Sequence, residues 1–537
     1  MGNNHNYVKG LLAFGLAVVC SLNATAQQRF HRYSCLAPAG QEQADGDVSL
    51  ARQPRRLPTI DPNMWTKVPD KHSIVVLVEF SDRAFSMENP RERYDNIFNQ
   101  RGYNEGRGPG CVADYFREQS GGLCDITFDV FGPVKIDTGA KSAGQYGTQK
   151  LRNALVTLVD SLKADYPTMG EGCDWSGNGS AQQVVFVYAG YGGNEDADVC
   201  KGSIWPNTST FTAVTLPSGV KVKNYTCSAE LWSTGKLCGI GTICHEFTHS
   251  LGLPDIYPTS TNATEYSVVD EWDLMDGGNF TNNGWCPCNF TALEKMLLGW
   301  KQPIELDSAT TVLQMKPVSE GGETYLVRHT ANEYYLIENR QWSGWDLRLP
   351  GHGLLVSHVD YSASAWSGNT VNNTASHHRF ELVHADNWDY GDWDNHISTH
   401  PDIYKDGNPY KGGHNQHLST SPYPFTAEDG TVNRELTDES VPAATMFNAN
   451  SEGLMLMSKP ITDITETDDG LVSFRFCQLK GDANVDGVVD VADYVAIAHH
   501  ILGRTPENFD PLNADVNGDG IIDVADYTAV VHIILKR

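Results

Sequence analysis

Apolar positions fall into three regimes along the chain. Ile74–Phe80 (IVVLVEF) and Gln183–Tyr188 (QVVFVY) are short, nearly continuous apolar runs closing into polar or Gly-rich sequence, the pattern of buried strands. Between them, Leu151, Leu155, Leu158, Val159 and Leu162 recur at helical spacing and predict an amphipathic helix over Lys150–Ala164. Strands alternating with helices predict a mixed domain, α/β or α+β, over 71–300. From 301 to 478 the pattern changes. Tyr334–Glu338, Gly353–Val359 and Leu471–Phe476 lie between Gly, Asn and Asp turns and predict a β-rich part. Residues 479–537 carry an internal repeat, each copy a polar loop followed by an apolar helix, Tyr494–Leu502 and Tyr527–Leu535.

The N-terminal text has the order of a signal peptide over 1–26. Lys9 precedes the apolar stretch Leu11–Cys20, and Ala24-Thr25-Ala26 offers a small-x-small cleavage site. Residues 27–70 then form a pro-segment or N-terminal extension. An exported chain meets an oxidising compartment, so most cysteines are expected to pair. Of the 12, Cys20 leaves with the signal, and Cys35 is the best candidate for the odd one; its thiolate is a candidate block on a metal site in the proenzyme. No apolar run is long enough to span a bilayer. With 39 Lys and Arg against 67 Asp and Glu, the formal charge of -28 excludes a nucleic-acid partner, which clustered cations would have to recruit.

The central chemical signal is His245-Glu246-Phe247-Thr248-His249. Residues four apart share a helix face, so both imidazoles reach one metal. Zinc accepts neutral imidazole nitrogens and in catalytic sites keeps a position open for water; Glu246 stands beside that position as general base. The run continues Ser250-Leu251-Gly252-Leu253-Pro254-Asp255. Gly252 permits a left-handed, helix-ending turn, and Pro254 prevents the helix from resuming. Asp255 can then fold back as a third, oxygen ligand, in the manner of extended zincin motifs. Met275, within Trp272-Asp273-Leu274-Met275-Asp276-Gly277-Gly278, fits the Met-turn of metzincin-like sites.

HEFTHSLGLPDIY followed by EWDLMDGG resembles the immune inhibitor A type of secreted bacterial metallopeptidase. The likeness extends to VVLVEFSD (75–82), VADYFREQSGGLCDITFDVFGPV (112–134), QVVFVYAGYGGNE (183–195), SIWP (203–206) and KNYTCSAEL (223–231). It continues through ALEKMLLGW (292–300) and EYYLIENRQWSGWDLRLPGHGLLVSHVD (333–360), so it covers about 71–478. Ser357 stands where that family usually carries an aromatic residue. The resemblance implies an α+β zincin-like catalytic domain, one catalytic zinc, a zymogen, and proteins or peptides as substrates. Nine of the 18 histidines fall between His352 and His417 beside Asp-rich text, where further calcium and a solvated polar surface are both open readings.

In the C-terminal repeat, Asp482, Asn484, Asp486, Asp490 and Asp493 recur 33 residues later as Asp515, Asn517, Asp519, Asp523 and Asp526. These are positions 1, 3, 5, 9 and 12 of a calcium loop. Gly487 and Gly520 make the sharp turn, and Val488 and Ile521 contribute only a carbonyl. The duplicated loop-helix unit resembles a type I dockerin, a small α-helical module with EF-hand-like loops. That resemblance implies two calcium ions and a cohesin-like docking partner. Val491-Ala492 and Val524-Ala525 replace the hydroxyl residues common at the recognition positions, so a purely calcium-stabilised terminus is the other reading. Residues 479–537 hold ten acids against four bases, and eight of those acids are the proposed ligands. Part of the acidity is therefore cation chemistry.

The sequence thus predicts a secreted zinc endopeptidase on a docking module, with association to the cell surface through that module as an open reading. A non-catalytic, peptidase-like scaffold protein is the alternative; no carboxylate pair outside the metal ligands supports a glycan hydrolase.

Overall fold

The computed structural model describes residues 60, 63–195, 197–260, 268–388, 418–427, 429–450, 453–477 and 479–536. The chain divides into two compact units. The first takes the chain to Phe290 and adds Leu297–Trp300 and Ser364–Asn373; the second holds Thr291–Met296, Lys301–Ala363 and everything from Thr374 onward.

The first unit is built on a five-stranded sheet of order β2-β1-β3-β5-β4. Its strands are β1 (Lys71–Glu79), β2 (Ile126–Lys135), β3 (Val184–Tyr191), β4 (Asn207–Thr215) and β5 (Lys221–Leu231). β1 pairs parallel with β2 and β3, and β3 parallel with β5, while β4 runs antiparallel at the edge. The central strands are apolar at almost every position because both faces are covered. On one face Ile74, Val76, Val78, Phe186 and Tyr188 share a core with Leu151, Ala154, Leu155 and Leu158. Those four are the buried stripe of α3 (Gly147–Leu162), which follows α1 (Pro90–Asn99) and α2 (Val112–Gln119).

Helix α4 (Gly241–His249) is buried at all nine positions, polar ones included. Phe247 is its anchor, within 5.0–6.0 Å (ring centroids) of Phe116 on α2, Phe128 on β2 and Trp175. The helix begins at Gly241 because nothing larger fits: a Cβ there would lie 1.8 Å from the Asn279 carbonyl oxygen.

The second unit contains an antiparallel ladder of β8 (Tyr325–Arg328), β9 (Glu333–Arg340), β10 (Gly353–Asp360) and β11 (Phe380–Leu382), with β6 (Ile304–Glu305) parallel to β8. A second sheet joins β7 (Thr310–Met315) to β14 (Ile461–Glu466) and β15 (Val472–Phe476), and β12 (Phe425–Thr426) pairs with β13 (Val432–Asn433). Tyr335, Ile337, Leu354, Val356, Val472 and Phe474 lie in one core. Buried Arg340 is held by a two-pronged pair with buried Asp346, both contacts 2.8 Å.

At the C-terminus, helices α6 (Val491–Ile501), α7 (Pro511–Ala514) and α8 (Val524–Lys536) follow α5 (Ala363–Ser367) in chain order. The repeat is visible as geometry: Tyr494 and Tyr527, 33 residues apart, meet at 4.4 Å. A small core of Ala483, Val489, Ile497, Ala514 and Val530 lies with them.

The cysteines depart from the expected pairing. Among the described residues no disulfide is formed. Cys111, Cys124, Cys173, Cys200, Cys227 and Cys244 are buried in the first unit, where a thiol packs as a small apolar group. Burial pushes the thiols of Cys111 and Cys173 up to about 11 and about 12, far from the reactive thiolate range. Cys35 lies outside the described residues.

Candidate metal centre

α4 presents His245 and His249 on one face, their rings 4.8 Å apart and nearly perpendicular. The chain leaves the helix through Gly252, at φ +111°, a conformation that only glycine takes without strain. Three residues later Asp255 has turned back. Its Oδ1 lies 3.2 Å from His245 Nε2 and 3.1 Å from His249 Nε2. All three side chains are buried.

Each imidazole is fixed from behind. His245 Nδ1 meets the Leu274 carbonyl at 2.8 Å, and His249 Nδ1 meets the Leu253 carbonyl at 2.8 Å. With Nδ1 of each ring on those carbonyls, both Nε2 atoms face Asp255. Met275 is fully buried in the turn that supplies the first carbonyl. Its N–H donates to Asp273 Oδ1 at 2.6 Å and its carbonyl accepts from Ile256 N–H at 2.9 Å. The turn therefore holds the site through its backbone at Leu274 and Met275.

The electrostatics describe a site that calls for positive charge. Burial works against a charge on His245, but the facing Asp255 carboxylate outweighs it and holds the ring up at about 9. Asp255 is in turn held well below the usual carboxylate range: burial opposes this, and the two histidines outweigh burial.

The donor set fits zinc. Two nitrogens and one oxygen, 3.1–3.2 Å apart across the pairs involving Asp255, approach the edge of about 3.3 Å expected of a tetrahedron with bonds of about 2.0–2.1 Å. The adjoining base also fits. Glu246 is fully buried; its Oε2 accepts from Thr208 Oγ1 at 2.9 Å, while no hydrogen-bond partner reaches its Oε1 among the described residues. A buried carboxylate oxygen without a donor is costly unless something occupies the space before it.

Two residues of this centre carry no signal in the sequence. Thr208, on β4, contacts both the side chain and the carbonyl of Glu246. Asn369, 114 positions beyond Asp255, donates Nδ2–H to Asp255 Oδ2 at 2.7 Å and accepts the Asp255 N–H at 2.6 Å. Neither lies at a motif spacing.

In the C-terminal repeat, Asp482, Asp486 and Asp493 bring carboxylate oxygens within 4.8 Å of one another. Asp482 accepts the N–H groups of Asp486 and Gly487, and Asp493 those of Asn484 and Asp490. The second loop repeats the wiring. Asp515 accepts from Asp519 and Gly520, and Asp526 from Asn517 and Asp523. Val488 and Ile521 are exposed, with their N–H groups on Asp486 and Asp519.

The histidine-rich region is only partly described. His358 lies between Glu333 and Glu381, His377 meets Asp360, and His384 meets Ser421. Each of these histidines is engaged by protein groups, which is the ordinary use of a buried or half-buried imidazole. Residues 389–417 lie outside the described residues.

Residues 162–302 match the family model for the immune inhibitor A peptidase M6 catalytic domain, and residues 480–535 match the dockerin type I domain. Both resemblances read in the sequence are shown by these matches. Over 291 residues the chain is 24% identical to an immune inhibitor A of Bacillus thuringiensis subsp. alesti, covering 44% of this chain and 41% of that protein. Over 250 residues it is 22% identical to the pre-pro-metalloprotease PrtV of Vibrio cholerae serotype O1, covering 41% of this chain and 27% of the relative. The chain thus spans less than half the length of these curated relatives. Among the described residues no helix is long and apolar enough to cross a membrane.

Proposed function

We propose that this chain is a zinc-dependent endopeptidase, with His245, His249 and Asp255 holding the metal and Glu246 as general base. The observation that carries the reading is the meeting of Asp255 Oδ1 with both Nε2 atoms, beside a buried Glu246 whose Oε1 has no hydrogen-bond partner among the described residues. Bound there, zinc supplies Lewis acidity toward a scissile carbonyl and lowers the pKa of water. Glu246 Oε1 takes the proton of the attacking water and later delivers it to the leaving amine. Thr208 keeps Oε2 engaged, so that Oε1 is the oxygen presented. The carbonyls of Leu274 and Leu253 orient His245 and His249 so that each Nε2 is the nitrogen offered to the metal, and Met275 and Gly252 shape the turns behind them.

The same reading assigns 1–26 to a signal peptide, 27–70 to a pro-segment, 71–300 to the catalytic domain, 301–478 to its β-rich partner and 479–537 to a dockerin. In that module one calcium ion is assigned to Asp482, Asn484, Asp486, Val488, Asp490 and Asp493. A second is assigned to Asp515, Asn517, Asp519, Ile521, Asp523 and Asp526. Exposed Val491, Ala492, Val524 and Ala525 favour a cohesin-like partner with an apolar contact face. The protein acts outside the cell on protein or peptide substrates.

Zinc content and casein cleavage, measured on wild type and Glu246→Gln, test the reading. Glu246→Gln is expected to keep its zinc and lose about 10²–10⁴-fold in rate. Equal rates would remove Glu246 from the chemistry. A zinc-loaded wild type that cleaves nothing would favour the non-catalytic scaffold reading.

A further inference from the structure

The third metal ligand stands on a loop, not on α4, and a short remote segment holds that loop. Asn369, Asn372 and Asn373 each reach it. Asn369 grips Asp255 at both ends: Nδ2–H to Oδ2 at 2.7 Å, and Oδ1 from the Asp255 N–H at 2.6 Å. Asn372 Nδ2 donates to the Ile256 carbonyl at 2.9 Å. Asn373 Oδ1 accepts the N–H groups of Thr259 at 2.6 Å and Ser260 at 3.0 Å. Thr259 Oγ1 returns a bond to the Asn369 carbonyl at 2.6 Å. Asn369 and Asn372 are buried, and Asn369 sits at φ +54°, a conformation that asparagine tolerates better than most residues.

A carboxylate can offer either oxygen, and a loop carboxylate can also rotate away. The Asn369 amide removes both freedoms. Engaging Oδ2 leaves Oδ1 as the oxygen directed at His245 and His249, and capturing the backbone N–H of the same residue fixes where the side chain starts. We propose that Asn369 is the positioning residue of the third metal ligand, and that its two-ended grip on Asp255 is the clamp that sets metal affinity in this centre. The inference rests on the metal reading above and deepens it.

The test uses the full chain and zinc alone. Wild type, Asn369→Gly, Asn369→Ala and Asn373→Ala are compared by chelator competition for zinc affinity, by the visible spectrum of the cobalt-loaded protein, and by near-ultraviolet circular dichroism for the fold. Glycine suits the backbone at φ +54°, so Asn369→Gly removes the amide without straining the chain. Both Asn369 variants are expected to bind zinc about 10–100-fold more weakly and to change the cobalt spectrum. Asn373→Ala cuts the same segment from the same loop without touching Asp255, and is expected to stay within about threefold of wild type. A folded Asn369→Gly chain with wild-type affinity and spectrum would overturn the clamp and leave the metal reading standing. Equal weakening by Asn373→Ala would also overturn it, making the segment a general support. A wild type that binds no zinc would bring down the metal reading itself.

Discussion

Thr208 Oγ1 lies 2.9 Å from Glu246 Oε2, so a hydroxyl on the edge strand β4 orients the carboxylate of the residue that follows His245 on α4. The hydroxyl has one proton, shared between that oxygen and the Glu246 carbonyl. Thr208→Val keeps the shape and removes the donor. If Glu246 is the base, this is expected to lower kcat by about 10–100-fold with little change in KM, and Thr208→Ser should restore most of it. A kcat unchanged in the valine variant would show that Glu246 needs no such hold.

Gly241 opens α4 against the backbone of Asn279. Since the obstacle at 1.8 Å is a carbonyl and not a flexible side chain, Gly241→Ala must displace the helix or the following loop. A loss of about 1–3 kcal/mol in unfolding free energy is expected, read by denaturant titration. A stability equal to wild type would contradict the close approach.

His358 carries a pH dependence of the second unit. Burial opposes its charge, but the bonds it donates to Glu333 at 2.9 Å and Glu381 at 3.1 Å outweigh burial and hold it up at about 9. The two glutamates are lowered to about 2 despite burial, Glu333 chiefly by His358 and the Phe447 N–H, Glu381 by His358 and His378. A raised histidine stabilises fully below its ordinary pKa of about 6.5 and loses that contribution as pH climbs through about 9. Lowered carboxylates stabilise above about 4.3 and lose it as pH falls toward 2. The network is therefore expected to contribute most between about pH 4.3 and 6.5. Thermal unfolding against pH should show stability declining from pH 6.5 to 9, with His358→Gln flattening that decline.

Asp493 is fully buried and ties the two ends of its loop through the N–H groups of Asn484 and Asp490. Asp493→Ala leaves both donors without their acceptor, an expected cost of about 1–3 kcal/mol, and removes a proposed calcium ligand. Protection of the C-terminal module by calcium against proteolysis should fall sharply in this variant. Protection equal to wild type would exclude Asp493 as a ligand.

Much of this architecture was legible in the chain, for reasons that differ by element. The runs at 74–80 and 183–188 fall on β1 and β3, each overrunning its strand by one residue, because strands buried on both faces write themselves as unbroken apolar text. The helix read over 150–164 corresponds to α3, shifted by two or three residues at its ends, where fraying and capping blur the period. The C-terminal helices begin three residues earlier than read, at Val491 and Val524, since each loop's ninth residue, Asp490 or Asp523, takes the first helical N–H groups as a cap. The expected cysteine pairing has no counterpart among the described residues, where the buried thiols of the first unit pack as small apolar groups.

By itself the sequence determined what depends on local spacing. Two histidines one turn apart share a face, glycine permits the reversal after them, and alternating acids around a glycine wrap a loop. Only the tertiary structure decided what depends on contacts between distant positions. Thr208 meets Glu246 across 38 residues, and Asn369 meets Asp255 across 114. Helical and loop geometry repeat with a period that sequence displays, whereas the approach of two remote side chains is set by how sheet, helix and loop pack, and leaves no period to read.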